Sequence, residues 1–261
     1  MQFLQPSNIH MAETLKNRVA IITGAGKGLG KTFALALAQE GAHLALLGRN
    51  ADALNEVAIA ARKAGGRAEI FAGDVSKEAD VRRIEQEVTA KFKKVHILIN
   101  NAGINIRKNV TDFTFEEWTS VINTNLVGAF LMCRSFVPHM RGEGYGRIIN
   151  LTSIMSHISL PGRTAYSASK AGLLGFTKAL ALELAPEGIT VNGISPGPCA
   201  TEMNIPILNS PELNQQFVSK LPVGRWGKVE EIAKLLLYIC SPDSGFLTGT
   251  DVVIDGGWTA Q

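Results

Sequence analysis

The chain has 261 residues, 46% hydrophobic and 19% charged, enough apolar material for one large core and too little charge for a disordered chain. Its 26 Lys and Arg against 23 Asp and Glu leave a net charge of +3, with no basic run or aromatic-interleaved basic stripe, so neither nucleic acid nor a membrane is an expected partner. Cys133, Cys199 and Cys240 stand far apart in no Cys-x-x-Cys arrangement and read as reduced packing thiols of a cytoplasmic protein; scattered histidines without His-Glu-x-x-His give no metal site.

Residues 1 to about 14 lack the charged start and apolar centre of a signal peptide and are expected to form a flexible extension, with Met11 as an alternative start. No later stretch reads as long and apolar enough to span a bilayer. From residue 15 onward one domain is expected. Short β-rich runs follow one another: RVAIIT (18–23), HLALLG (43–48), AEIFA (68–72), HILIN (96–100), RIINLT (147–152), TVNGIS (190–195) and DVVID (251–255). Between them GKTFALALAQEG, ADALNEVAIAARKAG and EADVRRIEQEVTAKF repeat apolar residues at helical spacing. This alternation predicts an α/β fold, a doubly wound parallel seven-stranded sheet of the Rossmann type, with ligands at the carboxyl ends of the strands. The proline-rich stretch 196–227 is too long for a simple connection and is read as a substrate lid with short helices, placed at about 198–227.

The first chemistry-bearing segment is TGAGKGLGKT (23–32). From Ala25 it is one substitution short of a triphosphate P-loop; from Gly24 it reads Gly-x-x-x-Gly-x-Gly, with Lys27, Gly28, Leu29 and Gly30 in the turn. Either way, glycines let the backbone approach a phosphate at a helix N-terminus. A triphosphate enzyme needs an acid at the end of a neighbouring strand to position its metal, and HILINN ends in Asn100 and Asn101 instead. For a dinucleotide, an acid at the end of the second strand would hold the adenosine ribose 2′-hydroxyl. Gly48-Arg49-Asn50 stands there, so Arg49, with Lys27 nearby, is expected to favour NADP(H) over NAD(H). The plainer alternative is that both are solvated surface charges.

Between 150 and 172 lies NLTSIMSHISLPGRTAYSASKAG, with Ser153 at a strand end and Tyr166 and Lys170 four apart on one helical face. A phenol ionises near ~10, and an ammonium together with a cationic nicotinamide should bring it down toward neutral pH, making Tyr166 a usable acid or base.

With these residues in place the chain resembles the short-chain dehydrogenases/reductases over residues 16–257. The resemblance rests on TGAGKGLG, GDV (73–75), NNAG (100–103), NTNLVG (123–128), Ser153, YSASK (166–170), PGPCAT (196–201) and DGG (255–257). It implies that Tyr166 exchanges the proton, Ser153 holds the substrate oxygen, and Lys170 lowers the tyrosine pKa and binds the nicotinamide ribose. Asn125 would anchor a water that relays protons to Lys170. Asp74 and Val75 would flank the adenine, Asn101, Ala102 and Gly103 line the cofactor, and Pro196, Gly197 and Thr201 close around the carboxamide. The resemblance favours the dinucleotide over the triphosphate.

Arg107, Lys108, His157 and Arg163 lie on loops that could face the site, where a guanidinium would suit a carboxylate. NNAGINIRK, PVGRWG and DGGWTAQ are similar to gluconate 5-dehydrogenase-like sugar-acid dehydrogenases. A 3-oxoacyl-acyl-carrier-protein reductase is the alternative, weakened because Gly144 and Glu187 stand where those enzymes carry arginines for their acidic carrier. A non-catalytic NADP(H) sensor is a third reading, opposed by the intact Asn125, Ser153, Tyr166 and Lys170. Helices near 115–141 and 166–185 are apolar around more of their circumference than one sheet covers. The resemblance implies a homotetramer built on them, with Trp258 reaching toward a neighbouring subunit's site.

Overall fold

The computed structural model describes residues 14–260; apart from Thr14, the extension expected over residues 1 to about 14, with Met11, lies outside them. The strands are β1 (Val19–Thr23), β2 (His43–Gly48), β3 (Ala68–Ala72), β4 (Ile97–Asn100), β5 (Gly146–Leu151), β6 (Ile189–Pro196) and β7 (Asp251–Ile254). They form one parallel sheet of seven in the order β3-β2-β1-β4-β5-β6-β7. Each predicted run falls within a residue or two of its strand.

Alternate residues of each strand serve opposite faces. Ala20 and Ile22 of β1 join one apolar layer with Phe33 and Leu37 of α1 (Gly28–Gln39), Leu54 and Val57 of α2 (Ala51–Lys63) and the helix Val229–Cys240. Ile21 points the other way, into a layer with Ile84 of α3 (Glu78–Phe92), Phe136 and Leu180. Covered on both faces, β1, β4 and β5 are buried at every residue, which is why they read as continuous apolar runs rather than alternating ones.

The expected helix near 115–141 is α4 (Phe115–Ile122) and α5 (Gly128–Phe136), joined by a π-helical turn, Asn123–Val127. A capping box between Thr114 and Glu117 starts it. Here the sequence reading is corrected: Phe115–His139 runs as 25 helical residues whose most apolar 18-residue window has a mean hydropathy of 1.2, enough by length and composition to cross a bilayer. Its apolar content has a local use, since 56% of the most apolar window is buried within the protein.

Next come α6 (Thr164–Leu184), α7 (Ile205–Leu208), α8 (Pro211–Val218) and α9 (Val229–Cys240). The excursion carrying α7 and α8 is tied at its base by a parallel bridge between Cys199 and Gly227. Its far side meets the chain end in a small apolar cluster of Ile154, Leu221 and Trp258, with Phe217 packed at 5.5 Å from Trp258. Trp258 is thus buried within this chain, against an aromatic surface on α8 that the sequence did not assign to it. The three cysteines are free and buried, and burial pushes Cys133 and Cys240 up to about 12 and Cys199 to about 11, as packing thiols require.

Candidate active site

The sheet order reverses between β1 and β4, and a cleft of about 710 Å³ opens there at the carboxyl ends of the strands. Its first half is built of backbone. The chain leaves β1 through Gly24 (φ +65°) and enters α1 at Gly28 (φ +53°), both in the left-handed region that favours glycine. A Cβ on Gly30 would lie 2.2 Å from the Gly24 carbonyl oxygen, so the helix approaches the turn more closely than any side chain allows. The N-terminus of α1 has no side-chain cap and no acid in its first turn, leaving its N–H groups open to an anion. Asn101 explains the absence of an acid after β4: its Nδ2 donates to the Thr23 carbonyl at 2.9 Å and the Gly24 carbonyl at 3.2 Å, fastening the turn. Lys27, Leu29, Ala102, Gly103 and Val75 line the same half.

At its far end Arg49 is exposed beside Asn50, whose side chain caps α2 by accepting from Ala53 N at 3.0 Å. Asp74 faces Arg49 across the cleft. Burial works to raise the Asp74 carboxyl, but hydrogen bonds from Ser76 and the charges of Arg49 and Lys77 outweigh it and hold the group below its ordinary value. The open helix end suits the diphosphate of a dinucleotide.

The second half is built of side chains. Ser153 follows β5 and caps a short turn, its Oγ accepting from Met155 N at 3.1 Å. Tyr166 and Lys170 stand on the first turns of α6, with the ammonium 5.6 Å from the centre of the phenol ring and donating to the Leu151 carbonyl. Burial pushes Lys170 down to about 8 against the pull of Asp251. The protein's own groups do not bring Tyr166 down: burial raises the phenol above its ordinary value, outweighing the Ser153 hydrogen bond and the charges of Arg163 and Arg107, whereas the sequence expectation counts on a cationic nicotinamide as well. A sequence displays charges at fixed spacing but not the desolvation that competes with them. Asn125 lies in the π-helical turn, off the cleft wall. Its Nδ2 donates to the Ile104 carbonyl and to Ser169 Oγ, each at 3.0 Å, and its Oδ1 accepts from Ile104 N at 2.8 Å. The amide side chain therefore latches the loop after β4.

Pro196, Gly197 and Thr201 close the third side. Gly197 packs so tightly on the chain end that a Cβ would lie 2.6 Å from Asp255 Cα. Arg107 and Arg163 both line the cleft next to Tyr166. Arg107 Nη2 donates to Asn204 Oδ1 at 3.3 Å, whereas Arg163 Nη1 is sealed from solvent without a partner. Burial and the nearby Arg107 charge lower Arg163 to about 10, which still leaves a cation at neutral pH. His157 and Lys108 are drawn elsewhere, in contrast to the sequence expectation. His157 Nε2 sits 2.6 Å from Asp251 Oδ2, and Lys108 Nζ donates to Glu117 Oε1 at 2.5 Å. Each found a buried or half-buried carboxylate that the linear order does not place beside it.

A family model described as enoyl-(acyl carrier protein) reductase matches residues 24–259. The chain is 35% identical to a 3-oxoacyl-[acyl-carrier-protein] reductase of Thermotoga maritima, across 93% of this chain and 98% of that one. It is 39% identical to an acetoacetyl-CoA reductase of Shinella zoogloeoides, across 92% and 98%. The structure superposes with a TM-score of 0.91 on a gluconate 5-dehydrogenase of Burkholderia cenocepacia solved with NADP and tartrate, at 33% identity over 96% of this chain and 98% of that one. The chain belongs to the short-chain dehydrogenase/reductase family.

As a short-chain dehydrogenase/reductase it is an oxidoreductase of CH–OH groups that uses a nicotinamide dinucleotide, and the glycine cradle with its open helix end fits that cofactor. Among the residues lining the cleft that escaped the sequence reading are Asn105, Asn204 and Phe217. Asn105, two positions before Arg107, has a buried Oδ1 without a partner. Asn204 and Phe217 reach the cleft from the excursion after β6. Only Asn105 carried a signal, as a polar side chain continuing NNAGIN; the other two depend on how the excursion folds back.

Proposed function

We infer that the protein interconverts a secondary alcohol and a ketone on a hydroxylated carboxylic acid of the sugar-acid type, with NADP(H) preferred over NAD(H). The observation that carries this reading is the pair of guanidiniums, Arg107 and Arg163, that line the cleft next to Tyr166 together with Asn105. Two cationic forks beside the reacting phenol suit a substrate carboxylate, which accepts charge-assisted hydrogen bonds from them.

The geometry supports the following roles. Gly24, Gly28, Leu29 and Gly30 hold the cofactor diphosphate on the open end of α1, with Asp74, Val75, Asn101, Ala102 and Gly103 along the adenosine side. Arg49, with Lys27, meets a 2′-phosphate. Pro196, Gly197 and Thr201 close over the nicotinamide end, and residues 198–227 form the lid. When bound, the nicotinamide supplies or takes up the hydride. Ser153 orients the substrate oxygen, Tyr166 gives or accepts its proton, and Lys170 favours the phenolate and holds the ribose. Asn125 fixes the loop after β4 and offers a main-chain carbonyl to a relaying water. We also read the exposed Phe130 on α5, Leu182 on α6 and Val253 on β7 as contacts of a homotetramer.

A 3-oxoacyl-acyl-carrier-protein reductase is the second reading, favoured by the Thermotoga maritima relative. Against it, Glu187 lies past the end of α6 and engages Arg141 at 2.6 Å, so that corner offers an acidic carrier no free cation. The test is nicotinamide absorbance with NADP+ or NAD+ and a panel of aldonates and polyols, beside acetoacetyl thioesters with NADPH. Reduction of NADP+ by an aldonate supports the sugar-acid reading; thioester reduction alone moves the protein to the second.

A further inference from the structure

On the β7 side of the reacting groups the protein holds a carboxylate that none of the roles above employs. Asp251 opens β7, and its side chain is 4% exposed. Its Oδ1 accepts from Thr152 Oγ1, and its Oδ2 from Ser195 Oγ and His157 Nε2, all at 2.6 Å. One carboxylate therefore ties the residue after β5, the end of β6 and the loop beyond Ser153. Burial of such a charge is tolerated only where bonds of this kind replace its lost hydration.

The sheet is shaped to admit it. Gly193 pairs with Asp251 in register on β6, and a Cβ there would lie 2.2 Å from Asp251 Oδ1. An interior strand position has thus been left without a side chain at the one place the carboxylate needs. The bonds are not forced on the partners, because Thr152 Oγ1 also lies 2.7 Å from the Ile194 carbonyl and Ser195 Oγ 3.0 Å from Thr152 Oγ1. Both hydroxyls would be satisfied without the acid, so their needs alone do not explain it.

The acid and Lys170 meet at one strand end: Lys170 Nζ donates to the carbonyl of Leu151, and the next residue, Thr152, donates its hydroxyl to Asp251. The lysine sits on α6 between the Tyr166 ring of its own helix, the Leu151 carbonyl of β5 and, across Gly103, the Asn125 amide of the π-helical turn. Asp251 is the charge that acts on it; Arg163 and Arg107 act on Tyr166.

We propose that Asp251 is a positioning residue of the active site: its carboxylate is the built-in counter-charge of Lys170, and its three hydrogen bonds hold the strand ends that carry Ser153 and the Leu151 carbonyl. The proposal rests on the roles given above to Ser153, Tyr166 and Lys170. Burial alone would drive the ammonium to give up its proton, and Asp251 opposes that. Without the carboxylate Lys170 deprotonates at lower pH, and the ammonium beside the Tyr166 ring is lost over the range where the enzyme should work.

The direct test is a nitrogen-15 NMR titration of the lysine Nζ resonances in the cofactor-free protein, with Lys170 assigned through Lys170→Arg. In the parent protein the midpoint is expected at about 8, below the ordinary lysine value because the ammonium is buried. In Asp251→Asn it should fall by about one pH unit, and the alkaline loss of kcat should move down with it while the substrate KM at neutral pH changes less than about threefold. A double variant, Gly193→Ala with Asp251→Ala, removes the charge and fills the space beside it, and should shift the midpoint in the same direction if the single variant does not fold. An unchanged Lys170 midpoint in either folded variant, with only a lower melting temperature, would overturn the proposal. The titration needs no turnover, so its failure is separable from a failure of the catalytic reading, which Tyr166→Phe tests.

Discussion

The two halves of the cleft are made of different material. The half between β1 and β4 is backbone: glycines at positive φ, an uncapped helix end, and an asparagine that ties them down. The half between β5, α6 and the excursion after β6 is side chain: a serine, a phenol, an ammonium and two guanidiniums brought from distant segments. A backbone cradle tolerates almost no change of residue type, because its space is set by atoms that cannot move. A side-chain wall can be re-chosen one residue at a time, and that is where one family's members can differ in substrate.

The largest effect that would sharpen this contrast belongs at the seam. Tyr166→Phe is expected to lower turnover by about a thousandfold or more while cofactor affinity, read by nicotinamide fluorescence, stays within about twofold. Retention of near-parent turnover would remove the phenol from the chemistry. Next, Gly30→Ala should disable the backbone half by itself. Its Cβ would meet the Gly24 carbonyl, costing about 1–3 kcal/mol of packing strain and weakening both NADP(H) and NAD(H) by more than about tenfold. Equal cofactor affinity in that variant would mean the turn yields, and the rigid-cradle account would fail.

On the other side, Arg163→Ala should raise KM for an acidic substrate by about tenfold to a hundredfold, the equivalent of about 1.5–3 kcal/mol for a charged hydrogen bond, and leave a neutral alcohol of similar shape unaffected. A loss shared by both substrates would make Arg163 a support of the loop. The smallest effect tests the exception to the contrast, a side chain in the backbone half. Arg49→Ala is expected to weaken NADP+ by about fivefold to tenfold and leave NAD+ unchanged, since an exposed guanidinium contributes only modestly. Equal losses for both cofactors would end the case for a 2′-phosphate site.

Cofactor-half residues were legible in the sequence because each is set by its immediate neighbours. Gly24, Gly28 and Gly30 declare a turn and a helix start, and Asn101 follows a strand end whatever the rest of the chain does. The strands were legible for a related reason: a sheet covered on both faces imposes unbroken apolar runs. The substrate half was legible only where two groups share one helix, as Tyr166 and Lys170 do. His157 looked like a neighbour of the site from its position between Ser153 and Tyr166, yet it turned to Asp251, ninety-four positions away.

By itself, then, the sequence determined the α/β order, the phosphate turn, the family and the spacing of the reacting groups, since these depend on periodicity and local geometry. Only the tertiary structure decided which charges meet. It buried just over half of the most apolar window of the long helix from Phe115, gave the Asn125 amide to the loop after β4, brought Arg163 beside Arg107, and set Asp251 against Gly193. Desolvation and pairing are properties of a folded interior: how far a charge is from water and from its counter-charge follows from the packing of all layers together, and no single stretch of chain carries that information.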